Sequence, residues 1–434
     1  MKRFHSPVAG VGIAALVFAG GCSTNPVTGK SELVLMSEQE EVAAGKQFYS
    51  ITNQLSEGET PHREVQSLVT RVGLKMAVSS ERPNLPWEFN VVDSNEPNAY
   101  ALPGGKLSIT RGLISKMESE DQLASVLGHE IGHVTARHAV VSASRQQLLG
   151  AALGVGGAVL QSQGTPGAGA IALAGQIGAT LLVQKYSRDQ ERQADELGTK
   201  YMTAAGYNPR AFVETMQILQ AAAKQEPSKF ESLFASHPVT SERIATAESR
   251  LSSGYTEAQT RRTQTEEFRR AVAPLKDEAP AFALADEARE LAKNRRPREA
   301  EERFARAISM VSSSPILNAL WADIHYDLGD YRRSDEVSDR ANSLNRELYY
   351  GRLVNGAANW RLRNLRDALE QLTIAERLVP DTVLVAYFAG RTLEDLGDRQ
   401  GAAQQFTKVA RATQGQGEYG AYAVTRLREW GLLS

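Results

Sequence analysis

His129-Glu130-Ile131-Gly132-His133 decides the reading of this 434-residue chain. Residues four apart on a helix stack on one face, so both imidazoles can reach a single metal ion. Glu130, turned about 100° away, leans toward the open coordination position. The flanks predict a buried helix. Leu123, Val126 and Leu127 precede the pentapeptide and Val134 follows it at helical spacing, while Ser119, Glu120 and Asp121 offer an N-cap and an acidic first turn. Two histidines and a glutamate on such an apolar helix are costly without a partner to hold them. In a chain of this length the pattern arises by accident on the order of once in a hundred.

A hydrolytic zinc site needs a third protein ligand and a fourth position left for water. The metzincin pattern would place Gly at position 136 and His at 139, and the chain has Ala136 and Ala139, which excludes that class. His138, nine residues past His129, sits about half a turn round a continuing helix and is expected to face away as a helix-end or core histidine. Glu191 is the better third ligand. It lies in Ser187-Arg188-Asp189-Gln190-Glu191-Arg192-Gln193-Ala194-Asp195, one helical turn before Asp195, which is then placed to hold the outer N–H of a ligating imidazole. Taken alone, this stretch reads as a solvated charged helix.

Asn98-Ala99-Tyr100-Ala101-Leu102-Pro103-Gly104-Gly105, the metal helix continued to Arg137-His138, and Ser187 through Asp195 resemble peptidase family M48, a gluzincin family, and within it the BepA-like periplasmic members. The likeness covers roughly residues 22 to 250. It implies one Zn2+ per chain held by His129, His133 and Glu191, with Glu130 as general base and Asp195 orienting a ligand. The family pattern also has a His-Pro element followed by Arg, matched here by His237-Pro238 and Arg243. Either side chain can meet the charge of an anionic tetrahedral intermediate. A spare histidine beside such a site can instead reach the metal, displace water and keep the enzyme latent, which is a second expectation for His237.

Short strands are predicted at Glu88–Val92 and Lys106–Thr110, with Gly104-Gly105 marking a turn. An edge strand there can pair with an extended substrate backbone, favouring unfolded segments.

At the N-terminus, Lys2 and Arg3 precede an apolar run from Val8 to Ala19 and then Gly20, Gly21 and Cys22, the shape of a signal peptide over residues 1–21. Small residues before the only cysteine suggest a lipobox with Cys22 as the lipidated residue, although Ala19 stands where Leu is preferred. Cys22-Ser23-Thr24-Asn25-Pro26 resembles the family's lipoprotein members, and Ser23 resembles the signal for transfer to the outer membrane. The expected location is therefore the periplasm, tethered to that membrane's inner leaflet. One cysteine also rules out an internal disulfide. With 49 Lys and Arg against 51 Asp and Glu, the net charge of −2 gives no sign of a nucleic-acid partner. Leu148 to Val183, rich in Ala and Gly, reads as a helical hairpin packed on the protein rather than two membrane spans.

The C-terminal third repeats itself. Leu328, Leu362 and Leu396 recur at 34-residue steps, as do Ala300, Ser334, Ala368 and Ala402, and again Ala307, Ala341, Ala375 and Val409. This period with small residues at helix crossings is the signature of tetratricopeptide repeats, which stack into a solenoid with a concave binding face.

The expected architecture is α-rich α+β: residues 22–251 a gluzincin-type domain, 252–280 a linker, and 281–434 an all-α repeat solenoid. The expected activity is that of a zinc metalloendopeptidase acting on unfolded or misassembled envelope proteins. The resemblance implies that its repeats recruit them or outer-membrane assembly machinery. The alternative is a repeat-based chaperone or assembly scaffold with latent or occasional proteolysis.

Overall fold

The computed structural model describes residues 22–152 and 185–433. The expected signal peptide and the Ala/Gly-rich hairpin fall essentially outside these residues, as does the side chain of Cys22. No helix among the described residues is long and apolar enough to cross a membrane.

The first module starts with a two-stranded ribbon, β1 (Cys22–Thr24) against β2 (Ser31–Leu33), followed by helix α1 (Glu38–Leu55). Ser37 and Glu40 form a reciprocal capping box that fixes where α1 begins. Helix α2 (Arg63–Ala77) buries Val65, Leu68, Val69, Val72 and Met76, a helical-period stripe that rests on the sheet.

That sheet has three strands in the order β3-β5-β4, where β3 is Glu88–Val92, β4 Ala99–Leu102 and β5 Lys106–Thr110. The two strands predicted from sequence occupy the expected residues. The third is the Asn98–Gly105 motif folded back as a hairpin, with β4 antiparallel and β3 parallel to β5. Gly104 and Gly105 make its turn at φ +73° and +85°, a conformation that side chains disfavour. The outer edge of β3 is taken up: Gln66 donates to the Phe89 carbonyl and accepts from Val91 N–H, and Thr60 N–H donates to Val91. This leaves β4 as the strand whose outer edge carries no backbone partner among the described residues.

After the single turn α3 (Arg111–Ile114) comes α4 (Glu120–Thr135), capped by Ser119 and buried on nearly every face. The chain then breaks direction. Arg137 takes φ +57° and α5 (His138–Ala152) leaves at a new angle. The break is held by a buried carboxylate: Glu41 accepts from both Arg82 and Arg137, while Arg137 also reaches Ser23 and the Met36 carbonyl.

Helices α6 (Arg188–Ala204), α7 (Arg210–Gln225), α8 (Glu231–Ser236) and α9 (Ser241–Gly254) close the module around α4. Helix α10 (Glu266–Lys293) follows, and it corrects the expected linker at 252–280. Phe268, Ala271, Val272 and Leu275 form a narrow helical stripe buried in the first module's core, within a segment whose other residues are mostly polar. Past Pro280, the same helix turns Ala281, Phe282, Ala285 and Ala288 into the core of the repeats.

The repeats pair α10's second half with α11 (Pro297–Met310), then α12 (Pro315–Asp327) with α13 (Tyr331–Leu344), α14 (Tyr349–Arg361) with α15 (Leu365–Leu378), and α16 (Val383–Asp395) with α17 (Arg399–Thr413). Helix α18 (Gly417–Glu429) ends the stack. Leu328, Leu362 and Leu396 each cap the first helix of a pair, and the next residue has positive φ in all three, supplied by Gly329, Arg363 and Gly397. Ala300, Ser334, Ala368 and Ala402 are fully buried, as are Ala307, Ala341, Ala375 and Val409, because larger side chains would separate the crossing helices.

The repeats dock on the first module. His62 and Arg111 meet Glu278, the Arg111 guanidinium lies 3.4 Å from the Phe282 ring centroid, Asn95 donates to Asp286, and Arg289 pairs with Glu57.

Candidate metal centre

The centre begins with a helix contact. Gly128 and Gly132 on α4 face Gly198 and Ala194 on α6, so the two backbones pack with no side chain between them. A Cβ at Gly198 would stand 2.7 Å from the His129 nitrogen. This approach lets the first turns of α6 lay Glu191 and Asp195 against the histidines of α4. The small-residue pairs Gly128/Gly132 and Ala194/Gly198, each four apart, were the available sequence signal for it.

His129 Nε2 and His133 Nε2 lie 3.0 Å apart, and Glu191 Oε1 is 3.2 Å from His133 Nε2. His237, on the loop after α8, points its Nδ1 into the same spot, 3.2 Å from His129 Nε2 and 3.1 Å from Glu191 Oε1. All four residues are buried, and their ligand atoms lie within 4.8 Å of one another. A tetrahedral zinc ion with bonds of 2.0–2.1 Å separates its ligands by about 3.3 Å. The spacing therefore fits such an ion, and two or three imidazole nitrogens with a carboxylate suit a borderline divalent metal. The buried group can hold a divalent metal.

Glu130 lies beside this group, with its Oε1 3.7 Å from His237 Nε2 and its Oε2 buried without a hydrogen-bond partner among the described residues. A buried carboxylate oxygen left free at such a place is available to a water or a substrate.

Outer contacts fix the ligands. Asp195 Oδ1 sits 3.0 Å from His129 Nδ1. Arg243, in the first turn of α9, donates through Nε and a terminal nitrogen to both oxygens of Asp195 at 2.8 and 2.6 Å. Its other terminal nitrogen reaches Glu191 Oε2 at 2.6 Å and the Pro238 carbonyl at 2.7 Å. Arg243 is thus bound to the carboxylates behind the centre rather than aimed at its open side. His138 contacts His133 Nδ1 through its own Nδ1 at 3.0 Å, and its Nε2 meets Gln193 at 2.9 Å. This corrects the expectation that His138 faces away, which assumed a helix continuing past Thr135, whereas the break at Arg137 swings it back. Tyr186 was not foreseen either. Its ring lies 3.9 Å from that of His133 and 5.3 Å from that of His237.

Burial alone would raise the Glu191 carboxyl, but the His237 and His129 rings and hydrogen bonds from His133 and His237 outweigh it and hold the carboxyl well below its usual range. Asp195 is also lowered, since hydrogen bonds from His129 and Arg243 overcome its burial. Burial lowers His133 and His138, favouring neutral rings, the form in which imidazole ligates a metal.

An α-rich domain with a helix-borne His/His/Glu centre, followed by stacked helix pairs, defines a metallopeptidase domain joined to a repeat module. Residues 63–251 match peptidase family M48 and residues 285–334 and 353–417 match the tetratricopeptide repeat, so the chain carries an M48 peptidase domain followed by tetratricopeptide repeats. It is 30% identical over 185 residues to a beta-barrel assembly-enhancing protease of Yersinia pestis, covering 42% of this chain and 38% of that one. It is 28% identical over 246 residues to the protein of that name from Escherichia coli strain K12, covering 55% and 50%. The mitochondrial metalloendopeptidase OMA1 of Schizosaccharomyces pombe is 30% identical over 180 residues, covering 41% and 50%. The chain spans half or less of the length of these relatives.

Proposed function

We propose that this chain is a zinc metalloendopeptidase held latent by His237, and that it acts on unfolded protein segments. The observation that carries the reading is the convergence of His129, His133 and Glu191 beside a Glu130 carboxylate oxygen that has no hydrogen-bond partner among the described residues. When bound, the ion acidifies water and polarises a carbonyl. Glu130 takes the proton of the attacking water as the C–O bond forms, and delivers it to the amine nitrogen as the C–N bond breaks. Asp195 fixes the His129 ring through Nδ1, and Arg243 fixes Asp195 and Glu191. The free outer edge of β4 offers backbone hydrogen bonds to an extended chain, which a folded substrate cannot supply.

Latency would rest on His237 Nδ1, which lies 3.2 Å from His129 Nε2 and 3.1 Å from Glu191 Oε1 and would compete with water for an ion held there. This contact also keeps the scaffold reading in play, because a closed centre leaves binding by the repeats as the resting activity. The name shared by the bacterial relatives, beta-barrel assembly-enhancing protease, supports substrates or partners among β-barrel proteins and their assembly machinery, met through the repeats. A periplasmic location, with a lipid on Cys22 as tether to the outer membrane, belongs to the same reading.

The test is casein cleavage by the full chain, by Glu130→Gln and by His237→Ala, with zinc measured on each. The reading expects one zinc per chain in all three, more cleavage by His237→Ala than by the parent, and none by Glu130→Gln. Equal cleavage with and without Glu130 would overturn it.

A further inference from the structure

Both histidines of α4 turn Nε2 toward the centre, which leaves each Nδ1 to be held from outside. The two are held differently. His129 Nδ1 lies 3.0 Å from a carboxylate oxygen of Asp195, whereas His133 Nδ1 meets another ring nitrogen, His138 Nδ1, also at 3.0 Å. His138 is buried, and its Nε2 lies 2.9 Å from Gln193 Oε1. Gln190 Nε2 donates to the His138 carbonyl at 3.4 Å and to Ser142 Oγ at 3.1 Å. Gln190 and Gln193 thus hold His138, the first residue of α5, by its backbone and by its ring.

These contacts admit one arrangement of protons once a metal is held. An imidazole that ligates through Nε2 carries its proton on Nδ1, so His133 donates there. His138 Nδ1 then accepts, which excludes a doubly protonated His138 and puts its single proton on Nε2. That proton needs an acceptor, and Gln193 Oε1 is in place to be it. Reversing the last contact reverses the others. A donor in place of Gln193 Oε1 would leave His138 Nε2 bare, set its Nδ1–H against His133, and drive the His133 proton onto Nε2, where it blocks the metal.

We propose that Gln193 is a positioning residue that, through His138, keeps the proton of His133 on Nδ1 and leaves its Nε2 lone pair free for the metal. It does for His133 what Asp195 does for His129, with a neutral two-step relay in place of a direct charge. The inference rests on the zinc reading above and adds to it a dependence on two side chains outside the ligand set. Orienting partners of this kind typically hold about 10–100-fold of metal affinity.

The test measures zinc affinity of the full chain by competition with a chromogenic chelator. Gln193→Met keeps the length of the side chain and loses the acceptor, and should bind zinc at least tenfold more weakly. Gln193→Glu offers a carboxylate that only accepts, and should bind at least as tightly as the parent. A mere packing role would give the opposite order, with Met harmless and a half-buried Glu costly. His138→Phe should weaken zinc at least as much as Gln193→Met, and combining the two should cost nothing beyond His138→Phe, because the glutamine acts through that ring. Nitrogen NMR of the histidine rings in the zinc-loaded parent should show His138 protonated at Nε2 and bare at Nδ1. Should His138→Phe fail to fold, the two Gln193 variants and the spectrum still decide. Parent affinity in Gln193→Met, additive losses in the double variant, or a His138 protonated at Nδ1 would overturn the relay and leave the metal centre standing. A parent that binds no zinc would overturn the zinc reading and the relay together.

Discussion

Gly198→Ala tests whether the contact between α4 and α6 sets the metal geometry. The added Cβ would meet three backbone atoms, His129 N at 2.7 Å, Gly128 C at 2.9 Å and His129 Cα at 3.1 Å. Backbone cannot rotate away as a side chain can. Reaching ordinary contact near 3.4 Å requires the helices to part by about 0.7 Å at that point. Glu191 and Asp195 ride on α6 and the histidines on α4, so the parting falls directly on the ligand set, whose tolerance is about 0.5 Å. Overpacking costs about 1–3 kcal/mol, against which Ala regains about 1 kcal/mol of helix propensity. The expected outcome is a modest fall in stability, with zinc affinity down about 10–100-fold and casein cleavage reduced by a similar factor. Zinc transfer to a chromogenic chelator, thermal melts and casein hydrolysis measure the three. Gly254→Ala is the control, since a Cβ there meets nothing within 4 Å, and it should leave all three unchanged or raise stability slightly. Wild-type zinc affinity and cleavage in Gly198→Ala would refute the reasoning.

His237→Ala should raise casein cleavage severalfold while keeping zinc, and unchanged or lower activity would show that the ring assists rather than blocks. Arg243→Gln strips Asp195 and Glu191 of their guanidinium, so stability should drop by about 3 kcal/mol in urea melts and zinc should bind at least tenfold more weakly; equal melts would mean the carboxylates find other donors. Burial pushes the Asp323 carboxyl up to about 6, only partly opposed by the hydrogen bond from Tyr350 and by Arg289. The folded form therefore holds a proton that the unfolded chain has lost, and stability falls as pH rises from about 4 to about 6. Asp323→Asn keeps an acceptor for Tyr350 and should gain on the parent by on the order of 1–3 kcal/mol between pH 4 and pH 7, compared by urea melts at each pH. An identical pH profile would count against this.

The metal helix, two strands and the repeat period were legible because each is written in local spacing: a step of four from histidine to histidine, alternation over five residues, a step of thirty-four from one helix cap to the next. What escaped depends on backbone turns and on packing between distant segments. His138 was misplaced because nothing in Ala136-Arg137 announces a positive φ, which Glu41 stabilises from ninety-six residues upstream. Helix α10 was missed as a core element because its buried stripe is only four residues wide and lies among charges. Tyr186 has no motif at all, and only the folded chain brings it onto His133. Glu191 and Asp195 could be singled out because a carboxylate pair one turn apart has a chemical use once two histidines are known.

Helix α10 makes the two modules mechanically continuous. It is a helix of 28 residues, about 42 Å along its path, with one end in each core and Pro274 and Pro280 inside it. Just before it, Gln264 accepts from Glu120 N–H and donates to Asp121, the first two residues of the metal helix. A displacement of the repeats is therefore passed to the first turn of the helix that carries His129 and His133, through a helix in which Pro274 and Pro280 each remove one backbone donor. The position of a break decides what is lost: one before Glu266 strips Phe268 and Val272 from the first module's core, and one after Lys293 strips Phe282 and Ala285 from the core of the repeats.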